Sequence, residues 1–141
     1  AWAGTAIEKS MLGAAHAAAN PLTAHFGVTH GHAVGLMLPH VVRFNSREDA
    51  AARAYAEAAC SAQLVSPSAT PEAAAEHLAQ RLESLLELAG LPRTLDRCGV
   101  KTEAIPRLAD EAARQWTAQF NPRPAAAADF QQLYTAALTP A

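Results

Sequence analysis

Apolar residues recur at helical spacing along almost the whole chain, and no stretch alternates with the period of two that marks a half-buried strand. The pattern predicts an all-α bundle of about six helices. Residues 2–19 put Ile7, Met11, Ala14, Ala15 and Ala18 on one side and Thr5, Leu12, His16 and Asn20 on another. Only Glu8, Lys9 and Ser10 mark a wet strip, so this first helix is expected to be buried. Asn20-Pro21 predicts its end, because the residue before a proline is pushed out of the α region. A loop, PLTAHFGVT, then leads to a second helix over 29–45 that Thr29 is placed to cap. This helix is the most apolar and is expected at the centre. Pro39 falls inside it and presses on the carbonyl of Gly35, which predicts a kink.

Asn45 followed by Glu48 reads as the start of a third helix that runs to about residue 62 and buries Ala51, Tyr55 and Ala58 or their neighbours. The polar, proline-marked SAQLVSPSAT over 61–70 is the clearest loop, but neither flank has a complete core, so the chain reads as a single domain over 1–141. Thr70-Pro71-Glu72 opens a fourth helix with a cap, a proline at the first position and an acid at the positive end. Leu78, Leu82, Leu85, Leu86 and Ala89 form its stripe, and Gly90 and Pro92 end it. A short turn over 94–99 precedes a helix capped by Thr102, with Ile105, Leu108, Ala109, Ala112 and Trp116 facing inward. Asn121-Pro122-Arg123-Pro124 is a stiff connector to a last helix over about 127–138 that packs Phe130, Leu133, Tyr134 and Ala137.

Composition narrows the class of function. Half of the residues are hydrophobic, alanine prominent among them, which favours closely packed helices. Eleven basic and thirteen acidic residues give a net charge of −2 with no basic cluster, which argues against a nucleic-acid partner. Cys60 and Cys98, the only cysteines, are too few and too far apart for a disulfide framework or a zinc ribbon. Arg43 and the histidines break the best apolar run, so no membrane span is predicted. The expectation is a cytoplasmic protein with two reduced thiols.

Candidate chemistry concentrates between residues 13 and 45, which hold five of the six histidines and four of the seven glycines. His16 and Asn20 are one helical turn apart and point into one space. His30 lies in the first turn of the next helix, with Gly31 giving close backbone access. The fold-back lets His16 and His30 face each other. Two imidazoles from neighbouring helices suit a borderline divalent metal such as iron(II) or zinc. Spacing alone leaves a plainer alternative, in which each histidine is satisfied by a carbonyl or hydroxyl. His25, in the loop, lies near the pair or in solvent. His40 either lines a cleft or packs beside the kink, His32 lies near the pair or in solvent, and His77 belongs on the surface.

The residues Ala15-His16, Asn20-Pro21-Leu22, His30-Gly31 with Ala33, Leu38-Pro39-His40 and Arg43-Phe44-Asn45 together resemble the signature region of the iron-containing (group III) alcohol dehydrogenases. Asn121-Pro122-Arg123 and Leu133-Tyr134 resemble the end of those enzymes. The resemblance implies the C-terminal helical domain of the dehydroquinate synthase-like fold, with His16 and His30 as metal ligands. It implies iron(II) or zinc and NAD(P) in the intact enzyme, hydride transfer between a small alcohol and its aldehyde or ketone, and a homo-oligomer. In that family an aspartate and a histidine from a helix just upstream complete the ligand set, and an N-terminal nucleotide-binding domain holds the nicotinamide. No glycine-rich strand–turn–helix occurs in this sequence, so that domain is expected to be missing, and the isolated chain to be inactive and to hold metal weakly. Asn20 stands where many relatives have another histidine near the nicotinamide, and in the family the loop that corresponds to the one carrying His25 lies near the active site, so the resemblance makes Asn20 and His25 the candidates for contact with the reacting groups. Two alternatives remain open: a non-catalytic helical module, and a maleylacetate-reductase-like enzyme that needs no metal.

Overall fold

The computed structural model describes residues 13–139, and every regular element among them is helical. Six α-helices follow in order: α1 (Ala14–Phe26), α2 (His30–Asn45), α3 (Asp49–Ser61), α4 (Pro71–Leu88), α5 (Ile105–Ala113) and α6 (Ala127–Leu138). Three short 3-10 turns, Asp96–Cys98, Thr102–Ala104 and Trp116–Phe120, join the later helices. The all-α reading holds. The predicted helix over residues 2–12 lies outside the described residues.

Helix α1 does not stop at Pro21 as the sequence predicts. It runs through the proline and ends at Gly27, whose φ of 64° is the left-handed conformation that glycine adopts without a Cβ penalty. Proline removes only one backbone donor, the one that would reach the carbonyl of Ala17, and burial of Pro21 with Leu22 and the surrounding alanines outweighs that loss. The loop is therefore only residues 27–29.

Helix α2 is the shared partner of the bundle, with α1, α4 and α6 all packed on it. It continues through Pro39 and buries Leu36, Met37, Val41, Val42 and Phe44. Each such side chain contributes roughly 1.5–3 kcal/mol on leaving water. A Cβ on Gly35 would stand 3.2 Å from Cδ2 of Leu86, so this glycine lets α4 approach closely. Thr29 precedes the helix without a side-chain cap bond.

Helix α3 packs on α4, and α5 packs on α6 and α1. Asn45 does not cap α3. It is the buried last residue of α2, and Glu48 occupies the cap position. Ala59 is buried in α3 where Ala58 was the expected position. Thr70 caps α4 as expected, accepting from the Ala73 amide. The buried face of α4 is Ala74, Ala75, Ala79 and Leu86, whereas Leu85 is exposed, because small residues let α4 lie against α2 and α3 at once. Thr102 opens a 3-10 turn without capping α5. Trp116 is 55% exposed, not inward-facing, because α5 has already ended at Ala113. Phe130, Leu133, Tyr134 and Ala137 are buried as predicted.

A pair of amides locks these elements together. Nδ2 of Asn121 donates to Oδ1 of Asn45 at 2.7 Å, and Nδ2 of Asn45 donates back to Oδ1 of Asn121 at 3.1 Å. The same Asn121 oxygen accepts from the backbone N–H of Ala14, and its amide also donates to the Arg123 carbonyl. Tyr55 of α3 accepts from Asn45, and Arg123 lies over the Phe44 ring while donating to the Phe44 carbonyl. Asn121→Ala leaves the Asn45 Oδ1 and the Ala14 amide without partners in a buried place. It is expected to lower stability by about 1–3 kcal/mol, read as a fall in the urea midpoint. An unchanged midpoint would show that these bonds do not hold the bundle.

Candidate metal centre

Helix α1 presents His16 and Asn20 on one stripe because they are one turn apart. Helix α2 begins at His30 after the Gly27 turn, and this brings the His16 and His30 rings to a centroid separation of 5.5 Å at an interplanar angle of 48°. His16 is half-buried among alanines and His30 is exposed. Burial, and secondarily the neighbouring His30, lower the pKa of His16 below its ordinary value. The His16 imidazole therefore stays neutral near neutral pH and keeps a ring nitrogen lone pair available. No Cβ contact within 4 Å would obstruct a side chain at Gly31, so the backbone beside His30 is open.

Asn20 is half-buried and donates from Nδ2 to Oε1 of Gln115 at 3.0 Å. Gln115 precedes the Trp116–Phe120 turn and has no signal in the sequence that links it to Asn20, since the two are 95 positions apart. Thr23 lies one turn beyond Asn20, and its hydroxyl is buried without a hydrogen-bond partner, as is that of Thr117.

The other histidines are engaged elsewhere. His25 is in the last turn of α1, about two and a half turns from His16, which puts it on the opposite side of the helix. Its Nε2 is 2.6 Å from Glu111, whose other oxygen accepts from Arg107 at 3.0 Å. The His25 bond, followed by the Arg107 bond, lowers the Glu111 pKa. His32 bonds the Pro92 carbonyl through Nε2 at 2.8 Å. His40 lines a cavity of about 600 Å³ with Arg43, Glu76, Glu83 and Arg93. There Arg43 grips the Glu76 carboxylate with two nitrogens and Glu83 with a third, so one guanidinium serves both acids on this wall. Burial and the adjacent Arg43 lower the His40 pKa, while Glu83 opposes them. His77 is exposed.

The His16–His30 pair matches the donor chemistry of iron(II) or zinc, both of which accept imidazole nitrogen. Two imidazoles are fewer donors than such an ion takes from a protein. Among the described residues no group of three or more His, Cys, Asp or Glu side chains is placed to hold a metal ion.

Comparison with known proteins agrees with this architecture. Residues 1–138 match the family described as Fe-containing alcohol dehydrogenase family, C-terminal. The chain is 36% identical over 135 residues to the 1-propanol dehydrogenase PduQ of Citrobacter freundii, covering 93% of this chain and 36% of that protein. It is 32% identical over 132 residues to the lactaldehyde reductase of Escherichia coli K12, covering 94% and 34%. The alcohol dehydrogenase from Oenococcus oeni superposes with a TM-score of 0.89 at 27% identity, over 96% of this chain and 35% of that one. A 1,3-propanediol oxidoreductase superposes with a TM-score of 0.83 at 28% identity, over 90% and 33%. The chain thus spans about a third of the length of the relatives it matches. With the family matched along nearly its full length and the helical architecture shared, this chain belongs to the Fe-containing alcohol dehydrogenase family and represents its C-terminal part.

Proposed function

We propose that this chain is a metal-binding C-terminal part of an NAD(P)-linked dehydrogenase that interconverts short alcohols with their aldehydes or ketones. The approach of His16 and His30 to 5.5 Å carries the reading, because family membership gives that pair of imidazoles a purpose. The named relatives act on 1-propanol, lactaldehyde and 1,3-propanediol, which points to small, lightly substituted substrates. Two further ligands and the nicotinamide site come from sequence outside this chain, as in the family. With both groups bound, the metal supplies a Lewis acid for the substrate oxygen and the nicotinamide accepts or returns a hydride.

The residues of this chain prepare that chemistry. His16 and His30 donate ring nitrogens, and the depressed pKa of His16 limits competition from protons. Asn20 is on the same stripe and offers an amide that orients a polar group by hydrogen bonding. It does not titrate, so it carries no proton away. Proton release at this position therefore differs from that of relatives with a histidine there. His25 is bonded to Glu111 on the opposite side of α1 from His16, which counts against its contact with the substrate.

In the intact enzyme, His16→Ala or His30→Ala is expected to remove most bound metal and nearly all turnover. Elemental analysis beside steady-state rates checks this, and wild-type metal and rate in either variant would make these histidines structural. Asn20→His should retain the metal and move the pH profile of kcat toward that of a titrating imidazole, whereas an unmoved profile places Asn20 outside the proton path. The isolated chain is expected to show no NAD(P)-linked alcohol oxidation and only weak zinc or iron binding, because two neutral imidazoles offer no charge to offset the ion. Turnover by the chain alone, or submicromolar metal affinity, would refute this.

A further inference from the structure

Residues 115–121 lie along α1 and are tied to it at both ends. At one end Gln115 accepts from Asn20, and at the other Asn121 accepts from the Ala14 amide. His16 lies between these two attachment points in the sequence of α1. Thr117 and Ala118 are buried within the segment, while Trp116 and Phe120 are exposed and stack edge to face at 5.7 Å. The segment thus has two buried residues, Thr117 and Ala118, between two bonds to α1. Asn121 belongs to the amide lock of the fold, whereas Gln115 has no other side-chain or backbone partner through its amide among the described bonds.

Resting on the functional reading above, we infer that Gln115 is a positioning residue that fixes the orientation of the Asn20 amide. An unrestrained asparagine on a helix samples several rotamers, and its amide turns over between them. The bond from Nδ2 to Oε1 engages one N–H of the Asn20 amide and holds its NH2 edge toward Gln115, with Oδ1 turned away from it. One turn from His16, that oxygen can accept from a donor group brought beside the imidazole pair. It suits the hydroxyl of an alcohol or a hydroxylated substrate, or the amide of a nicotinamide. Without Gln115, Asn20 presents donor and acceptor indifferently, and the fraction of productive complexes falls. The acceptor character of this position is set by a residue 95 positions away in the chain.

A double-mutant cycle in the full-length enzyme carrying this chain tests the assignment. Gln115→Leu is expected to lower kcat/KM by about 3- to 10-fold, the range of one neutral hydrogen bond, with metal content and melting temperature unchanged. In an Asn20→Ala background the same substitution should have no further effect, because Gln115 acts only through Asn20. Gln115→Glu retains an acceptor for Nδ2 and should recover most of the loss, which a role for Gln115 as donor does not allow. Equal losses in both backgrounds, or no loss in the first, would overturn the inference while leaving the dehydrogenase reading intact. A full-length enzyme that turns over no alcohol would overturn that reading and this inference with it.

Discussion

The reciprocal amide bonds between Asn45 and Asn121 are the constraint on which the arrangement depends. The first N–H groups of a helix have no partner within it, and in a buried place each must find one. Asn121 meets that need for Ala14 at the start of α1 while gripping Asn45 at the end of α2. The approach is close: a Cβ on Gly13 would stand 3.1 Å from the Asn121 oxygen. One side chain thereby fixes where α1 begins relative to α2 and anchors the segment that carries Gln115. His16 lies only two residues into α1, so its position follows from this lock. The other boundary condition is the left-handed turn at Gly27, which lets His30 open α2 within reach of His16.

Much of this was legible where local chemistry decides. Thr70 and Pro71 specified the start of α4, and the spacing of Phe130, Leu133, Tyr134 and Ala137 specified the buried face of α6. Where tertiary packing competes with a local rule, the local rule lost. Pro21 reads as a breaker, yet a buried alanine-rich helix tolerates the loss of one hydrogen bond, and the glycine six residues later ends it. Asn45 reads as a cap, but its amide is worth more paired with Asn121 in the interior. In α4 the leucines form the conspicuous stripe, while Ala74, Ala75 and Ala79 are the buried positions that determine how near the helices come.

The centre itself was half legible. The i, i+4 relation of His16 and Asn20 and the return at His30 follow from helix geometry, and the rings do meet. Gln115 was invisible because its partner is on a helix from the other end of the chain, and nothing in its neighbourhood distinguishes it from a surface glutamine. The Arg43, Glu76 and Glu83 cluster was hidden for the same reason, since long-range ion pairs leave no local period. His25 illustrates the converse. It was placed in a loop near the centre, whereas the longer α1 puts it in the last helical turn with Glu111.

We propose that His16 and His30, and no other histidines of this chain, form one metal-binding pair. A zinc titration of the chain followed by histidine imidazole NMR resonances tests this pairing directly. The His16 and His30 signals should move together with a single dissociation constant, while those of His25, His32, His40 and His77 stay in place. Movement of either signal without the other, or a stronger response at any of the remaining four, would contradict it.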